Sequence, residues 1–142
     1  MGNKYNIAVI FIVSCLLLGV AQEVKSTESK NILILNSYHK GYLWSDNIMS
    51  GIESVFAKEA PDVELSFEYM DTKRHTTKES FSLLEELYKS KFHFKYDLVI
   101  VSDNNGLEFL LQRRQLLLPG VPIVFCGINN FTDSILGSQQ DV

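Results

Sequence analysis

Four clusters of polar side chains, each at the carboxyl end of a predicted strand, are the places where this chain could do chemistry. The clusters read Ser37-Tyr38-His39, Asp71-Thr72-Lys73, Ser102-Asp103-Asn104-Asn105 and Gly127-Ile128-Asn129-Asn130. The rings of Tyr38, Tyr42 and Trp44 lie in or next to the first cluster. Polar groups that fix orientation, together with rings that supply contact area, suit a small polar or zwitterionic ligand such as an amino acid or a small carboxylate. Helix amino termini at the same place would favour an anionic group.

The motifs of common catalytic, cofactor and metal sites are missing from these clusters. The first cluster lies in the stretch NSYHKG, which is neither a dinucleotide-binding glycine motif nor a Walker loop. A phosphoryl-accepting receiver domain holds Mg²⁺ with an acidic pair after its first strand and an aspartate after its third. Asp103 has the position of that aspartate, but no acid follows the first strand here. There is no G-x-S-x-G motif, and His39, His75 and His93 lack zinc-site spacing. The sequence therefore predicts a binding site with no catalytic residue, cofactor or metal.

Each candidate residue also has a purely structural interpretation at this stage. Asp103 could cap the helix that follows it, and Trp44 could belong to the core as well as to a cleft wall. His39 could bond within its own loop, and Asn129 and Asn130 suit turn geometry. These alternatives stay open on sequence alone.

Alternating strand and helix patterns must position the clusters. Compact apolar runs predict strands at Asn31–Asn36, Leu98–Ser102 and Ile123–Cys126. Residues 63–70 instead alternate apolar and polar side chains, which predicts a strand at the edge of the sheet. We therefore expect a doubly wound parallel α/β sheet, Rossmann- or flavodoxin-like, of order 2-1-3-4. Ligands in such sheets bind beyond the strand carboxyl ends, where the strand order reverses.

Three helices should connect the strands. Ser45 or Asp46 is the expected cap of the first, and Thr76 with Glu79 forms a capping box for the second. Arg113-Arg114 is expected on a solvated helix face. The predicted inward-facing side chains are Ile48, Ile52, Val55 and Phe56, then Phe81, Leu84, Leu87 and Tyr88, then Leu107, Leu110 and Leu111.

The amino terminus has the pattern of an export segment. Fifteen residues without a charge, Ile7 to Ala21, follow Lys4, and Gly19-Val20-Ala21 suits a cleavage site. Residues 1–21 are therefore interpreted as a signal peptide or a membrane anchor, and 22–30 as a polar spacer. The expected location is periplasmic or otherwise extracytoplasmic. A net charge of −4 with dispersed basic residues argues against a nucleic-acid partner.

The fourth strand is unusual for the edge of a sheet. It is apolar throughout, whereas edge strands are usually protected by charge or proline. We therefore expect residues 31–142 to be one lobe of a larger domain. Cys126 in this strand is interpreted as a small buried apolar residue.

Three stretches resemble a known family. ILILNSYHKGYLWSDNIMSGI, VSDNNGLEFLLQRR and LPGVPIVFCGINNF, between Asn31 and Phe131, resemble the extracytoplasmic substrate-binding sensor region of bacterial sensor histidine kinases. That region is similar to ABC-transporter solute-binding proteins of the type I periplasmic-binding fold. The resemblance implies two Rossmann-like lobes that close over a ligand, of which this chain supplies the first.

The resemblance also implies which residues line the cleft and what the domain serves. The matching positions are Ser37, Tyr38, His39, Asp103, Asn104, Gly127 and Asn129, and Trp44 matches a position without an assigned role. The implied partners are a second lobe and a membrane-anchored kinase. The alternatives are a solute-binding protein that serves an ABC permease, and an exported flavodoxin-like enzyme.

Overall fold

The computed structural model describes residues 29–93, 95–138 and 142. The expected signal peptide or anchor and most of the spacer lie outside this part of the chain. Within the described residues, no helix is both long and apolar enough to cross a membrane.

Four parallel strands form one sheet of order β2-β1-β3-β4. The strands are β1 (Asn31–Asn36), β2 (Glu64–Tyr69), β3 (Leu98–Ser102) and β4 (Ile123–Cys126). The predicted strand order is confirmed, as is the edge position of β2, and the order reverses between β1 and β3. At this reversal the connections after β1 and β3 lead to helices on opposite faces of the sheet.

Helices cover both faces of the sheet, so the predicted doubly wound α/β fold is confirmed. The helices are α1 (Leu43–Glu59), α2 (Lys78–Lys91) and α3 (Asn104–Leu117), and a 3₁₀ turn follows at Asp133–Ile135. On one face, Ile32 and Ile34 of β1 pack against Met49 of α1. On the other, Leu33 and Leu35 belong to a larger core cluster with side chains of α2 and α3. Successive side chains of β1 therefore serve opposite cores.

The start of α1 differs from the prediction. The helix begins at Leu43 and has no side-chain cap. Ser45 is buried, and its hydroxyl donates to Asn36 Oδ1 at 3.0 Å, while Asp46 Oδ1 accepts the Gly41 N–H at 3.0 Å. Ser45 is thus bonded to the end of β1 and Asp46 to the loop that follows it, so neither caps the helix. Val55, predicted inward, is exposed, and Met49 takes the buried position.

The start of α2 is shifted by one residue from the predicted capping box. Thr77 caps the helix by accepting the Ser80 N–H at 3.1 Å. Thr76 instead donates its hydroxyl to the carbonyl of Thr72, within the loop. Leu87, predicted inward, is exposed, whereas Tyr88 beside it is fully buried.

The two arginines of α3 do not lie on a solvated face. Arg114 is only 4% exposed, and its Nη2 donates to the carbonyl of Val121 at 3.0 Å. Arg113 lies 4.9 Å from the ring centre of Phe109, and its Nε donates to Glu85 at 3.0 Å. The aliphatic stems of the arginines cover apolar surface while their guanidinium groups donate to acceptors. The prediction of a solvated face was wrong because it considered only the charge of the side chains.

Strand β4 presents apolar side chains at the edge of the sheet. Val124 is 51% exposed, on the side opposite the buried Ile123. Among the described residues, β4 pairs only with β3. An apolar edge of this kind is unusual in the absence of a covering element.

Gly106 allows the first turn of α3 to approach the sheet. A Cβ at this position would lie 2.7 Å from Val101 Cγ2 and 2.9 Å from Ser37 Oγ. Any side chain would therefore push the helix off the strand ends.

We predict that Gly106→Ala lowers the free energy of unfolding by about 1–3 kcal/mol, because the new methyl group overpacks a fixed contact. Gly51→Ala is the matched control, since Gly51 is an exposed position in α1 with no atom within 4 Å of an added Cβ. That substitution should stabilise the protein by about 0.5–1 kcal/mol. Chemical denaturation measures both, and equal effects in the two variants would contradict the packing argument.

Candidate functional site

The loops after the four strands meet at one edge of the sheet, which we call the mouth. Because the strands are parallel, all four carboxyl ends face the same way. Residues 37–42, 70–77 and 127–132 and the start of α3 form this edge. The predicted convergence of the polar clusters is therefore found, and hydrogen bonds between the loops hold it together.

Ser37 lies buried beneath the loops of the mouth, where it bonds to the end of β3 and the start of α3. It is fully buried, its hydroxyl donates to the Ser102 carbonyl at 2.5 Å, and it accepts the Gly106 N–H at 2.7 Å. Both capacities of the hydroxyl are used within the protein. The resemblance implied that Ser37 contacts a ligand, whereas the structure gives it a part in joining β1, β3 and α3.

Thr72 and Asn105 form a link that the sequence analysis did not single out. The Thr72 hydroxyl donates to the Ser37 carbonyl at 2.6 Å and accepts from Asn105 Nδ2 at 2.9 Å. Both residues belong to the polar clusters, but their sequence context does not show that they face each other. The signal that could have identified them is their place at the ends of strands on opposite sides of β1.

Asn36 is a second residue that the sequence analysis missed. Its Oδ1 accepts the Tyr38 N–H at 2.9 Å and the Ser45 hydroxyl, which fixes the loop after β1 under the first turn of α1. Its Nδ2 is buried and has no acceptor among the described residues. An unsatisfied buried donor is uncommon in folded proteins.

Asp103 caps α3, as one of its two interpretations predicted, and does so with a strained backbone. Its carboxylate accepts the Asn104 N–H at 2.7 Å, and the residue is 5% exposed. Its φ of 70° and ψ of 163° lie in a region that glycine adopts almost alone. The strain lies at the carboxyl end of β3, where the strand order reverses.

Asn104 and Asn129 are brought together. Asn104 Oδ1 accepts the Asn129 N–H at 2.9 Å, and Asn104 Nδ2 donates to the Asn129 carbonyl at 3.1 Å. The Asn104 side chain thus pairs with the loop after β4 much as a neighbouring strand would. Asn129 itself is exposed, and Asn130 adopts the turn conformation that was one of its interpretations, with a φ of 54°.

Trp44 lies on the rim of the mouth. It is 50% exposed, and its Cζ2 would lie 3.5 Å from a Cβ added to Gly127. Gly127 has a φ of 69°, so it turns the chain just after β4 and leaves room for the indole. Trp44 is therefore not part of the core, and its place in the wall of a cleft stays a prediction.

Tyr38, His39 and Tyr42 form an aromatic group at the mouth. The rings of Tyr38 and Tyr42 meet edge to face with centres 5.4 Å apart. His39 Nδ1 lies 3.2 Å from Asp71 Oδ1, although the two atoms are not aligned for a hydrogen bond. Asp71 also pairs with Arg74 at 3.4 Å. His39 thus contacts the loop after β2, beyond its own loop.

Burial and the Asp103 carboxylate both raise the pKa of the Tyr38 phenol. Partial burial is the larger cause, and contact with Asp103 adds to it because a phenolate there would face a carboxylate. Tyr38 and Asp103, two residues that the resemblance implied for the site, are therefore electrostatically coupled across the mouth.

Two grooves among the described residues adjoin the mouth. One of about 470 Å³ runs between α2 and α3 and is lined by Thr77, Phe81, Asn105 and Arg113 among others. Another of about 370 Å³ lies between α3 and Ile135. Among the described residues, no three His, Cys, Asp or Glu side chains are grouped closely enough to hold a metal ion.

The chain matches no family model, no curated protein and no solved structure. The resemblance to sensor regions therefore remains a prediction that rests on the three quoted stretches.

We predict that Asn104→Ala speeds hydrogen exchange at the Asn129 amide by about tenfold, the equivalent of roughly 1.4 kcal/mol. Asn104→Asp is the control, because a carboxylate can still accept that N–H although it cannot donate to the carbonyl. Its Asn129 amide should exchange as slowly as in the unsubstituted chain. Equal exchange rates in all three proteins would show that the side-chain pairing does not hold the loop.

We also predict that Asp103→Asn lowers the pKa of Tyr38, because the charge that opposes its ionisation is removed. NMR titration of the tyrosine Cζ resonances measures this directly. Tyr69 is the internal control, since its raised pKa comes from burial and from Asp46 and Glu53. A Tyr38 pKa that is the same in both proteins would contradict the coupling.

Proposed function

We propose that this chain is a non-catalytic lobe that binds a small molecule, in the extracytoplasmic sensor domain of a bacterial sensor histidine kinase. The ligand would be held at the mouth, and a second lobe would close over it. Export would depend on residues 1–21. The family and the location come from the sequence resemblance, whereas the binding proposal rests on the geometry of the mouth.

The observation that carries the binding proposal is the strained backbone of Asp103. Such a conformation costs on the order of 1–3 kcal/mol for a residue other than glycine. The cap that Asp103 provides is worth about 1 kcal/mol, and a glycine cap is only a few tenths weaker. Capping alone thus gives the protein no stability advantage for aspartate over glycine here. A carboxylate kept at such a cost is best explained by contact with a ligand.

The position and shape of the mouth also support the proposal. The strain lies where the strand order reverses, which is where open parallel sheets bind ligands. Tyr38, Trp44 and Asn129 stand around it with partly or largely exposed side chains. A second lobe would supply the other contacts of an enclosed site.

Signalling would then follow from a shift in population. A ligand that contacts both lobes stabilises the closed arrangement by its differential affinity for the two states. No chemical step is required of this chain, and the closed fraction is the signal that a kinase would receive.

Ligand screening with an Asp103 variant tests the proposal. Thermal-shift assays of the full chain against amino acids, small carboxylates and nucleobases should identify binders, since a ligand at a hundred times its Kd stabilises by about 2.7 kcal/mol. Asp103→Gly should lose that shift, while its own free energy of unfolding rises by about 1 kcal/mol through relief of strain.

Asn130→Gly is the matched control, because it also replaces a residue of positive φ near the mouth. It should keep the ligand-induced shift. Unchanged ligand binding by Asp103→Gly would refute the proposed site.

A further inference from the structure

One face of the sheet is fully covered over only half of its width. In β3, Val99 and Val101 face α2 and α3 and are fully buried. Leu98 and Ile100 of the same strand face the side of α1 and are only partly buried, although β3 has a neighbouring strand on each side. Val124, which is paired with Ile100 in β4, is 51% exposed. We call Leu98, Ile100 and Val124 the open half-face.

The order of the strands explains why this half-face is open. The connections after β2 and β3 cross the sheet in the same direction, so α2 and α3 lie on one face. The connection after β1 runs the other way, and α1 packs on the opposite face, over β1 and β2. Among the described residues, no second helix lies beside α1 on that face. An apolar helix is the element that usually covers such a surface.

The flank of α1 toward β3 and β4 is also apolar. Trp44 and Ile48 identify this flank, because a Cβ added to Gly127, after β4, would lie 3.5 Å from Trp44 Cζ2 and 3.8 Å from Ile48 Cδ1. Val55 lies about two helical turns beyond Ile48 and therefore on the same flank. It is 59% exposed, so the residue that was predicted to face inward lies beside the open half-face.

The two flanks of α1 differ in charge. Burial, followed by the nearby carboxylates of Asp46 and Glu53, raises the pKa of Tyr69 in β2, which places these two acids on the β2 side of the helix. Ile48 and Val55 on the other flank carry no charge, and neither does the open half-face. Because the chain has a net charge of −4, two copies can approach with least repulsion through an uncharged surface of this kind.

We propose that two copies of this chain pair through this face, related by a two-fold axis that runs between their sheets. Each α1 lies over the open half-face of the partner, with the flanks that carry Ile48 and Val55 side by side. The molecule supplies both a surface that lacks a helix and a helix with an uncovered apolar flank, so the patch is complementary to itself, as a two-fold interface requires. This inference does not depend on the proposed function, because no ligand takes part in the pairing.

The lengths of the elements fit this arrangement. Helix α1 has 17 residues and is therefore about 25 Å long. Strands β3 and β4, of five and four residues, extend over no more than about 17 Å. One helix from the partner is thus long enough to cover the open half-face from end to end.

Sedimentation equilibrium of the full chain over a range of concentrations tests the inference. We expect a reversible equilibrium between monomer and dimer. Val55→Glu should raise the Kd of the dimer about tenfold or more, because the new carboxylate would be buried without a partner. Val55 is exposed in the single chain, so the variant should fold normally, and circular dichroism checks that it does.

Leu83→Glu is the matched control. Leu83 is 71% exposed on α2, which packs on the other face of the sheet, so the substitution adds the same charge away from the proposed interface. It should leave the Kd of the dimer unchanged. Val124→Glu changes the open half-face itself and should weaken the dimer as Val55→Glu does.

Three results would overturn the inference. The first is a chain that stays monomeric at every concentration. The second is a dimer that Val55→Glu leaves intact, since it would use another surface, such as the free edge of β4. The third is equal weakening by Val55→Glu and Leu83→Glu, which would show general charge repulsion. If the monomer binds phosphatidylcholine vesicles and Val55→Glu abolishes that binding, a membrane rather than a second copy covers the face, and the inference is again wrong.

Discussion

The close approach of α3 to the ends of the two central strands determines the arrangement of the mouth. The hydroxyl of Ser37 bonds to the Ser102 carbonyl and the Gly106 amide, which ties β1, β3 and α3 at one point. Because the helix starts so close to the strand, the chain must change direction within one residue. Asp103 makes that turn, and its positive φ follows from it. The next two side chains, Asn104 and Asn105, then reach the loops on either side.

The polar groups at the mouth thus divide into two sets. Ser37 and Thr72 satisfy buried backbone carbonyl groups, and Asn104 bonds to the backbone of the exposed Asn129, so these side chains form hydrogen bonds within the fold. Tyr38, Trp44 and the ammonium group of Lys73 remain partly or largely exposed. Most polar residues in the row after a buried strand therefore bond to neighbouring parts of the fold. Only the side chains that stay exposed are available to bind a ligand.

Much of the fold could be predicted from the sequence, because strand signals are local. The bounds of β1, β3 and β4 were correct, and the half-polar pattern of β2 identified the edge of the sheet. The helix starts were less predictable, since a hydroxyl such as that of Ser45 or Thr76 can bond to a distant loop as readily as to its own helix. The convergence of the clusters followed from topology. Some side chains of each cluster form hydrogen bonds to neighbouring loops and others do not. Which ones do so depends on distances between the loops, and no sequence pattern gives these distances.

Trp44 is the single tryptophan of the chain, and it lies half-exposed beside Gly127 on the rim. The intrinsic emission of the protein therefore comes from one indole at the place where the strand-end loops meet. Any solute, second domain or loop rearrangement that changes the polarity of this spot should alter the colour or intensity of that emission. The fold thus contains its own optical probe, with no dye and no added label.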